Sequence, residues 1–418
     1  MSAVRFITKF TEAEDPLDLR AYESAGGFSG LKAALAGSDE AVVETIRTSG
    51  LRGRGGAGFP TGIKWGSVSG DGDRYLVCNA DEGEPGTFKD RYVLEKAPYL
   101  LLEGMAIAAY ATGAHSGFIY VRGEYPKIAR SLGAAIASAA AAGYLGSKIA
   151  GSSFSFVVEV RKGGGSYVVG DETALLNSLM GNRGYPLLKP PFPTEKGLWG
   201  KPTIVNNVET LAYVPFILTN GPNSFSQVGT PECPGPKLFS VSGHVRNPGV
   251  YEFPMGTTVR EVLDAAGGVI GTLKAVQIGG TAGPVYNVAA LDYRLDFASL
   301  RKIGGALGSG ALVFMNTTVN MAQVLEVSMR FFAEESCGQC FPCRYGTRQL
   351  DFMAHQIAAG RGRAEYLNLI RETSRVMVGS SFCPFGQSIA LPVASLLEGF
   401  GEEIVSFVKQ QQFLKEVG

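Results

Sequence analysis

Residues 74–90 decide the fold, and they read R-Y-L-V-C-N-A-D-E-G-E-P-G-T-F-K-D. The apolar run at 74–78 predicts a buried strand. A polar loop at 79–89 follows it directly, and a helical pattern comes next, at 98–112. An apolar strand that leads through a polar loop into a helix is typical of a parallel α/β unit.

The same alternation continues toward residue 218. It predicts a parallel, Rossmann-like sheet, in which ligands bind beyond the carboxyl ends of the strands. The loops at 79–89 and 162–170 are therefore expected at the binding edge. The further elements predicted here are strands at 117–121 and 154–160 and helices at 39–48, 126–142, 172–180 and 205–218.

Two more units follow a Pro- and Gly-rich linker at 219–236. Strands at 237–242, 249–253, 275–278 and 311–315, with a helix at 259–266 capped by Thr257, predict a small β-grasp domain. Helices at 321–334, 346–359, 365–376 and 392–407 predict a bundle with the cysteines at its loops. The chain is thus predicted to be a multi-domain α/β protein with four segments: 1–60 (N-terminal, helical and glycine-rich), 61–235 (α/β domain), 236–318 (β-grasp domain) and 319–418 (helical bundle).

The composition excludes some classes of function. The 418 residues carry 38 basic and 38 acidic side chains, so the net charge is zero, which argues against a general nucleic-acid or anionic-membrane binder. The first residues lack the pattern of a signal peptide, and no apolar stretch reaches the length of a membrane span. We therefore expect a cytoplasmic protein, in which six cysteines are unsuited to a disulfide framework.

Four cysteines form a ligand pattern. Cys337, Cys340 and Cys343 lie in S-C-G-Q-C-F-P-C-R, and Cys383 lies in S-F-C-P-F-G. Three thiols at this spacing with one remote cysteine are typical of a 4Fe–4S cluster, and four thiolates also suit zinc. The three histidines lie far from these motifs. The pattern favours a cluster, with zinc as the alternative.

A glycine-rich run at 52–65 reads R-G-R-G-G-A-G-F-P-T-G-I-K-W. It lacks G-x-G-x-x-G and precedes the first strand, so it fails the test for an ordinary dinucleotide fingerprint. Its backbone N–H groups could still hold a phosphate, with charge from Arg54 and Lys64, and Phe59 and Trp65 could stack on a ring. The alternative is a tight turn with solvated arginines.

Two other loops predict polar contacts to a ligand. The first crowds Asp81, Glu82 and Glu84 into four residues, and such carboxylates could accept hydrogen bonds from a cofactor. The second, at 163–173, joins a strand to a helix through three glycines and could hold a phosphate or a ring at the helix N-terminus. A solvated acidic loop and a flexible surface turn are the alternatives.

Together with G-D-E-T-A-L-L-N-S-L at 170–179, L-K-P-P-F-P at 188–193 and N-N-V-E-T at 206–210, these segments closely resemble one family. It is the NADH-binding flavoprotein subunit of respiratory complex I, with its soluble relatives in NAD-linked hydrogenases and formate dehydrogenases. The resemblance spans about residues 35–410. Departures are Asp171 where Glu is common, Val169 where Cys is common, and Pro384 where Gly or Ala is usual.

The resemblance implies FMN, NAD(H) and a 4Fe–4S cluster ligated by Cys337, Cys340, Cys343 and Cys383. Glu84 is expected to shape the nicotinamide side of the site, with Phe59 and Phe192 beside the adenine and Glu172 and Lys189 near polar groups of NADH. The residues implied around FMN are Gly53, Arg54, Gly55, Gly56, Lys64, Asn79, Asp81, Glu82, Tyr167, Gly170, Asp171, Asn206, Asn207 and Thr210.

The implied activity is that of a diaphorase subunit, in which a hydride passes from NADH to FMN and single electrons pass to the cluster and to partner subunits. The expected partners are a thioredoxin-like 2Fe–2S subunit and a further iron–sulfur or catalytic subunit. The short, single-cluster form leans toward a hydrogenase or formate dehydrogenase module over complex I. The alternatives are an electron-bifurcating or NADPH-linked module and a zinc-stapled binding module without redox activity.

Overall fold

The computed structural model describes residues 2–70 and 72–417. Two sheets organise this part of the chain. Their strands are β1 (Tyr75–Ala80), β2 (Ser116–Val121), β3 (Val157–Lys162), β4 (Thr203–Asn207), β5 (Pro236–Gly243), β6 (Gly249–Pro254), β7 (Leu273–Ile278), β8 (Val285–Asn287) and β9 (Ala311–Asn316).

The helices fall into those before β5 and those after β6. The first group is α1 (Leu19–Ser24), α2 (Ser29–Leu35), α3 (Asp39–Thr48), α4 (Thr61–Gly66), α5 (Lys89–Lys96), α6 (Pro98–Thr112), α7 (Pro126–Ala141), α8 (Glu172–Leu179), α9 (Val208–Asn220) and α10 (Pro222–Ser226). The second group is α11 (Val259–Ala265), α12 (Phe297–Lys302), α13 (Met321–Glu335), α14 (Phe341–Ala358), α15 (Ala364–Ser380), α16 (Pro384–Ser388) and α17 (Ala390–Val417).

The first sheet confirms the predicted Rossmann-like unit. Its four strands are all parallel, in the order β3-β2-β1-β4. Leu76 and Cys78 point into the core beneath α6 and α9, whereas Val77 packs on the other face, against α8. Because β2 and β3 lie on one side of β1 and β4 lies on the other, the strand order reverses between β1 and β4. A parallel sheet binds ligands at such a switch point.

The second sheet has the order β6-β5-β9-β7-β8, with β5 and β9 parallel and the other pairs antiparallel. Helix α11 covers one face through Val259 and Val262, as expected for a β-grasp domain. The predicted cap of α11 is wrong by one residue. Thr258 caps the helix in a capping box with Glu261, and the Thr257 hydroxyl instead donates to the carbonyl of Pro254.

The C-terminal helices α13, α14, α15 and α17 share one core, which includes Met329, Leu350 and Ile370. Helix α14 begins at Phe341, five residues before the predicted start. Cys343 therefore lies within the first turn of a helix rather than in a loop, which corrects that expectation.

The remaining differences concern short elements. The helix predicted at 205–218 is α9, which starts three residues later because 205–207 belong to β4, and neither β4 nor β8 was predicted. Strand β3 starts three residues later than expected. Helices α3 and α6 have the predicted bounds. Among the helices of the described chain, none has the length and apolar character needed to span a membrane.

Candidate functional site

Two adjoining cavities open at the carboxyl edge of the first sheet. The outer cavity, of about 650 Å³, lies between the glycine-rich run, the ends of β1 and β4, and the segment 189–195. The inner cavity, of about 520 Å³, lies between the acidic loop, the β-grasp domain and the start of α16. Both cavities are lined by Gly55, Gly56, Ala57, Asn79, Gly170, Asp171, Asn207 and Pro384.

The structure brings every predicted cofactor-binding residue except Arg54 to one of these cavities. The outer cavity also has Gly53, Phe59, Lys64, Glu172, Lys189, Phe192, Asn206 and Thr210 in its wall. The inner cavity also has Asp81, Glu82, Glu84, Tyr167 and Cys383 in its wall.

The glycine-rich run approaches the switch point closely because its glycines have no side chains. A Cβ atom at Gly55 would lie 3.1 Å from the Cβ of Asn207, and Gly56 has a φ of +135°. The run is anchored by the backbone N–H of Arg54, which donates to Thr210 Oγ1 over 2.8 Å. It therefore forms a backbone surface that a ligand can approach without steric hindrance.

The Arg54 side chain does not face either cavity. Its guanidinium is fully buried and donates to the carbonyls of Pro234 and Pro236, over 2.8 and 3.0 Å. The expectation that Arg54 adds charge to a phosphate at this site is therefore wrong. Its alternative, a turn with solvated arginines, is equally wrong for this residue.

A three-residue charge group borders the outer cavity. The Nζ atoms of Lys64 and Lys189 lie 2.8 and 2.5 Å from the two carboxylate oxygens of Glu172. Burial opposes the charge of Glu172, but the two ammonium groups outweigh it and lower its pKa. At the mouth of the same cavity, the rings of Phe59 and Phe192 are half exposed, at 53% and 49%. Flat apolar surfaces and fixed charges thus stand side by side.

The acidic loop is buried, so the solvated-loop alternative is wrong. Glu82 accepts hydrogen bonds from the backbone N–H groups of Asp90 and Arg91, in the first turn of α5. Both carboxylate oxygens of Asp81 are buried and lack a hydrogen-bond partner in the described part of the chain. Burial raises the pKa of Asp81 to about 7. An unpaired buried carboxylate that borders a cavity suits a ligand with hydrogen-bond donors.

Glu84 joins three domains. Its carboxylate accepts hydrogen bonds from the Tyr167 hydroxyl over 2.5 Å and from the N–H of Ala282, in the β-grasp domain, over 3.0 Å. The Tyr167 ring contacts Phe331 and Phe385 of the helical bundle. Burial raises the pKa of Glu84 to about 7, although these hydrogen bonds oppose the rise. The group can therefore hold or release a proton near neutral pH.

The four predicted ligand cysteines lie together at the N-termini of α14 and α16. Burial raises the pKa of Cys343 to about 12, and the neighbouring Cys340, Cys383 and Cys337 add to the rise. Burial also raises the pKa of Cys383, and the backbone N–H groups of Phe385 and Gly386 oppose the rise. Four thiols gathered in an apolar setting suit a metal centre, because a metal keeps them deprotonated.

The spacing of these thiols bears on the choice between zinc and a cluster. No three Cys, His, Asp or Glu side chains of the described chain could hold a single metal ion as they are placed. A tetrahedral zinc with Zn–S bonds of about 2.3 Å would need sulfur atoms about 3.8 Å apart. In a 4Fe–4S cluster each cysteine binds a different iron atom, so the sulfur atoms stand farther apart. The choice of a cluster over zinc rests on the C-x2-C-x2-C spacing with one remote cysteine.

The contribution of the β-grasp domain was not predicted. Ala282, Ala306, Ser309 and three glycines of this domain (Gly279, Gly283 and Gly308) line the inner cavity. Glycine pairs at 279–280 and 304–305, with Gly308 and Gly310 close by, were the available signal in the sequence. The fully buried Lys89, which also lines this cavity, was missed because a lysine ordinarily predicts an exposed position.

Comparison with known proteins agrees with this geometry. The model of the Nuo51 FMN-binding domain matches residues 46–216, the SLBB domain matches 238–288, and the NADH-ubiquinone oxidoreductase-F iron-sulfur binding region matches 323–406. The first region contains the glycine-rich run and the acidic loop, the second covers most strands of the β-grasp domain, and the third contains the four cysteines.

Relatives similar over nearly the whole chain include two kinds of complex. The NADH-quinone oxidoreductase F 2 subunit of Rhizobium meliloti is 43% identical, over 94% of this chain and 95% of the relative. The HndC subunit of the NADP-reducing hydrogenase of Solidesulfovibrio fructosivorans is 41% identical, over 98% of this chain and 84% of the relative.

A solved structure shows the same fold. An NAD+-reducing [NiFe]-hydrogenase in the H2-reduced state superimposes with a TM-score of 0.86 at 36% identity, over 97% of this chain and 67% of that one. Matches of this identity and coverage establish the family and confirm the fold class, the FMN-binding domain and the 4Fe–4S region. The chain therefore belongs to the family of NADH-oxidising flavoproteins that includes the F subunits of NADH-quinone oxidoreductases, whose members are parts of larger redox complexes.

Proposed function

We propose that FMN binds where the two cavities meet, on the glycine-rich run and beside the ends of β1 and β4. The support is a fit between the residues present and the parts of FMN. Backbone N–H groups of Gly55 and Gly56, with Lys64, suit the phosphate, whereas the N–H of Gly53 already donates to the carbonyl of Phe59 over 2.8 Å, so Gly53 is proposed to contact FMN only as part of the cavity wall. The unpaired Asp81 carboxylate, with Asn79, suits the donors of the ribityl chain and the ring.

The outer cavity is the proposed entrance for NADH. Phe59 and Phe192 would flank the adenine ring, since both present exposed aromatic faces at the mouth. Glu172 and Lys189 would meet polar groups of the dinucleotide. The further residues proposed to contact the flavin are Tyr167, Gly170, Asp171, Asn206, Asn207, Thr210 and Glu82, with Arg54 acting only through its backbone.

Bound FMN would supply a two-electron acceptor for the hydride of NADH that can also release single electrons, and a 4Fe–4S cluster on the four cysteines would supply a one-electron acceptor. The protein positions the dinucleotide, excludes water and fixes the charges around the site. Burial raises the pKa of Glu84, which borders the inner cavity, to about 7. The observation that carries the proposal is that Pro384 lines both cavities and follows Cys383, which itself lines the inner one. The flavin site and one cluster ligand therefore adjoin.

Glu84→Ala tests the division of roles within the site. Glu84 borders only the inner cavity and contacts no glycine of the run. The variant is expected to impair NADH oxidation more than FMN retention, measured as the NADH–viologen rate and as bound flavin per chain. Equal loss of rate and flavin would contradict a role on the nicotinamide side.

A second candidate is an NADPH-linked or electron-bifurcating module. It is favoured by one relative, HndC, whose name describes an NADP-reducing hydrogenase. Viologen reduction measured with NADH and NADPH in parallel, at saturating FMN, separates the candidates. A rate with NADPH that exceeds the rate with NADH would favour the second, and no response to NADH would reject the first.

We also propose two partner subunits in the cytoplasm, a thioredoxin-like subunit with a 2Fe–2S cluster and a further iron–sulfur or catalytic subunit of a hydrogenase, formate dehydrogenase or complex I. The support is that the relatives are themselves named as subunits of such complexes. Affinity purification of the tagged chain from its native cells, followed by mass spectrometry, tests this. Recovery of the chain alone would contradict it.

A further inference from the structure

A buried group of charged residues joins the β-grasp domain to the glycine-rich run. Arg54, Lys89, Glu209 and Lys237 are fully buried, and Asp90 is nearly so. The group contains three cations and two carboxylates. Such burial is costly unless each charge is paired and hydrogen-bonded. The hydrogen bonds and ion pairs of each charged residue therefore indicate why a charge is buried at that position.

Lys237, in β5, makes the contact that crosses the domain boundary. Its Nζ lies 3.0 Å from Glu209 Oε2 and donates to the backbone carbonyl of Arg54 over 3.1 Å. The other oxygen of Glu209 accepts from the N–H of Leu238 over 2.7 Å. One ammonium group thus links β5, the first turn of α9 and the glycine-rich run.

This contact completes the anchoring of one residue in the run. The Arg54 N–H donates to Thr210 Oγ1, and the Arg54 carbonyl accepts from Lys237. The Arg54 guanidinium donates to the carbonyls of Pro234 and Pro236, directly before Lys237. Gly53 and Gly55, on either side of Arg54, line the outer cavity. The N–H of Gly53 is fixed by its hydrogen bond to the carbonyl of Phe59, whereas the direction of the Gly55 N–H depends on the anchoring of the Arg54 carbonyl, because glycine restricts the backbone so little.

The residues packed around Lys237 leave space for a lysine side chain. A Cβ atom at Gly310 would lie 2.4 Å from Lys237 Cε, so the glycine leaves room for the lysine. Replacing both partners of a buried ion pair by apolar residues is often neutral or stabilising, whereas replacing Lys237 alone would take away one of the two ammonium groups that pair with Glu209. A loss of stability is therefore expected for any such variant, and the FMN Kd is needed to reveal a role in cofactor binding.

We propose that Lys237 of the β-grasp domain is a positioning residue for the FMN site, which holds the Arg54 carbonyl and thereby aims the N–H of Gly55, in the same peptide group, at the cofactor. The inference rests on the proposed binding of FMN at the glycine-rich run. It gives the β-grasp domain a part in cofactor retention, through a residue that borders neither cavity.

The test is Lys237→Met in the full-length chain, with its cluster assembled. FMN affinity is measured by titrating the flavin-depleted protein with FMN, and the NADH–viologen rate is measured at saturating FMN. We expect the FMN Kd to rise about ten-fold or more, while the rate at saturating FMN and the KM for NADH stay within about two-fold of wild type.

The chain offers a matched control. Lys274 is also in the β-grasp domain, but its contacts lie on the side of the helical bundle. Its Nζ donates to the carbonyl of Val319 over 2.7 Å and lies 2.7 Å from Glu403 Oε1. Lys274→Met should lower the Tm and leave the FMN Kd unchanged. If both variants raise the Kd equally, the effect is general loosening and the inference is overturned. An unchanged Kd in Lys237→Met overturns it as well.

A second variant and the wild-type control cover the cases in which Lys237→Met does not fold or FMN does not bind at all. If Lys237→Met does not fold, Lys237→Gln keeps a donor for Glu209 but is too short for the Arg54 carbonyl, and it should raise the Kd in the same way. Normal FMN affinity in that variant would refute the inference. Failure of the wild-type protein to bind FMN would instead refute the proposed function, so the two failures are distinguishable.

Discussion

Asp81 combines a cost to stability with a proposed role in binding. Its buried carboxylate has no partner in the described part of the chain, and its pKa is raised from 3.8 to about 7 by burial. The folded protein therefore holds this proton to a higher pH than the unfolded chain does. Stability is lost as the pH rises from about 4 to about 7, and the full cost applies above that range.

Asp81→Asn removes this titration. In the flavin-depleted protein, the variant should gain stability relative to wild type, and the gain should grow by about 2–3 kcal/mol between about pH 5 and about pH 8. Urea unfolding at the two pH values measures it. The same variant should bind FMN more weakly, because an acceptor for the cofactor is lost. A gain independent of pH would contradict the raised pKa.

The structure brings to the two cavities several residues that the sequence predicted near one site. Cys383, the half-exposed Phe59 and Phe192, and the paired Glu172 all line a cavity. Arg54 and Lys89 were placed wrongly or missed, because their buried partners are backbone carbonyls and carboxylates from distant parts of the chain. Pairings of that kind depend on tertiary contacts, and a single sequence does not contain them.

At the level of elements, the β4–α9 junction shows why the start of one helix was predicted three residues too early and a strand was missed. The run T-I-V-N-N at 203–207 is short and apolar at its start, so its periodicity does not distinguish a strand from the first turn of a helix. The segment is a strand because it pairs with β1, where Asn79 lies opposite Asn207. Long elements with clear ends, such as α3 and α6, needed no such contact and were predicted to the residue.

The cap of α11 gives a prediction at this scale. Thr258 accepts from the N–H of Glu261 and the Glu261 carboxylate accepts from the N–H of Thr258. Thr258→Ala should lower the free energy of unfolding by about 1 kcal/mol. It should leave the FMN Kd unchanged, since α11 borders neither cavity. Thermal unfolding and flavin titration measure the two effects, and loss of FMN affinity would contradict the separation between cap and site.

At the scale of the whole molecule, three domains meet at the inner cavity, each through its own residues. The α/β domain supplies Glu84, the β-grasp domain supplies Ala282 and the helical bundle supplies Cys383. The three units were predicted separately from local patterns. Their meeting point was not, because loops far apart in the chain build it. The arrangement implies that flavin binding and cluster binding are adjacent but separable.

Cys383→Ala tests that separation. Removal of one thiolate from a four-cysteine set should abolish the 4Fe–4S cluster, while the glycine-rich run and its anchors remain intact. The variant should keep wild-type FMN content, with the iron content and the cluster absorbance lost. Loss of both cofactors together would show that the cluster supports the flavin site, contrary to the account.

The central claim, that electrons from NADH reach the cluster only through FMN, is tested most directly by one anaerobic experiment. NADH is mixed with the FMN-loaded protein and with the flavin-depleted protein, and the EPR signal of the reduced cluster is followed in each. The account predicts that the signal appears in the FMN-loaded protein and not in the flavin-depleted protein. A signal of equal size in both, or none in the FMN-loaded protein, would contradict it.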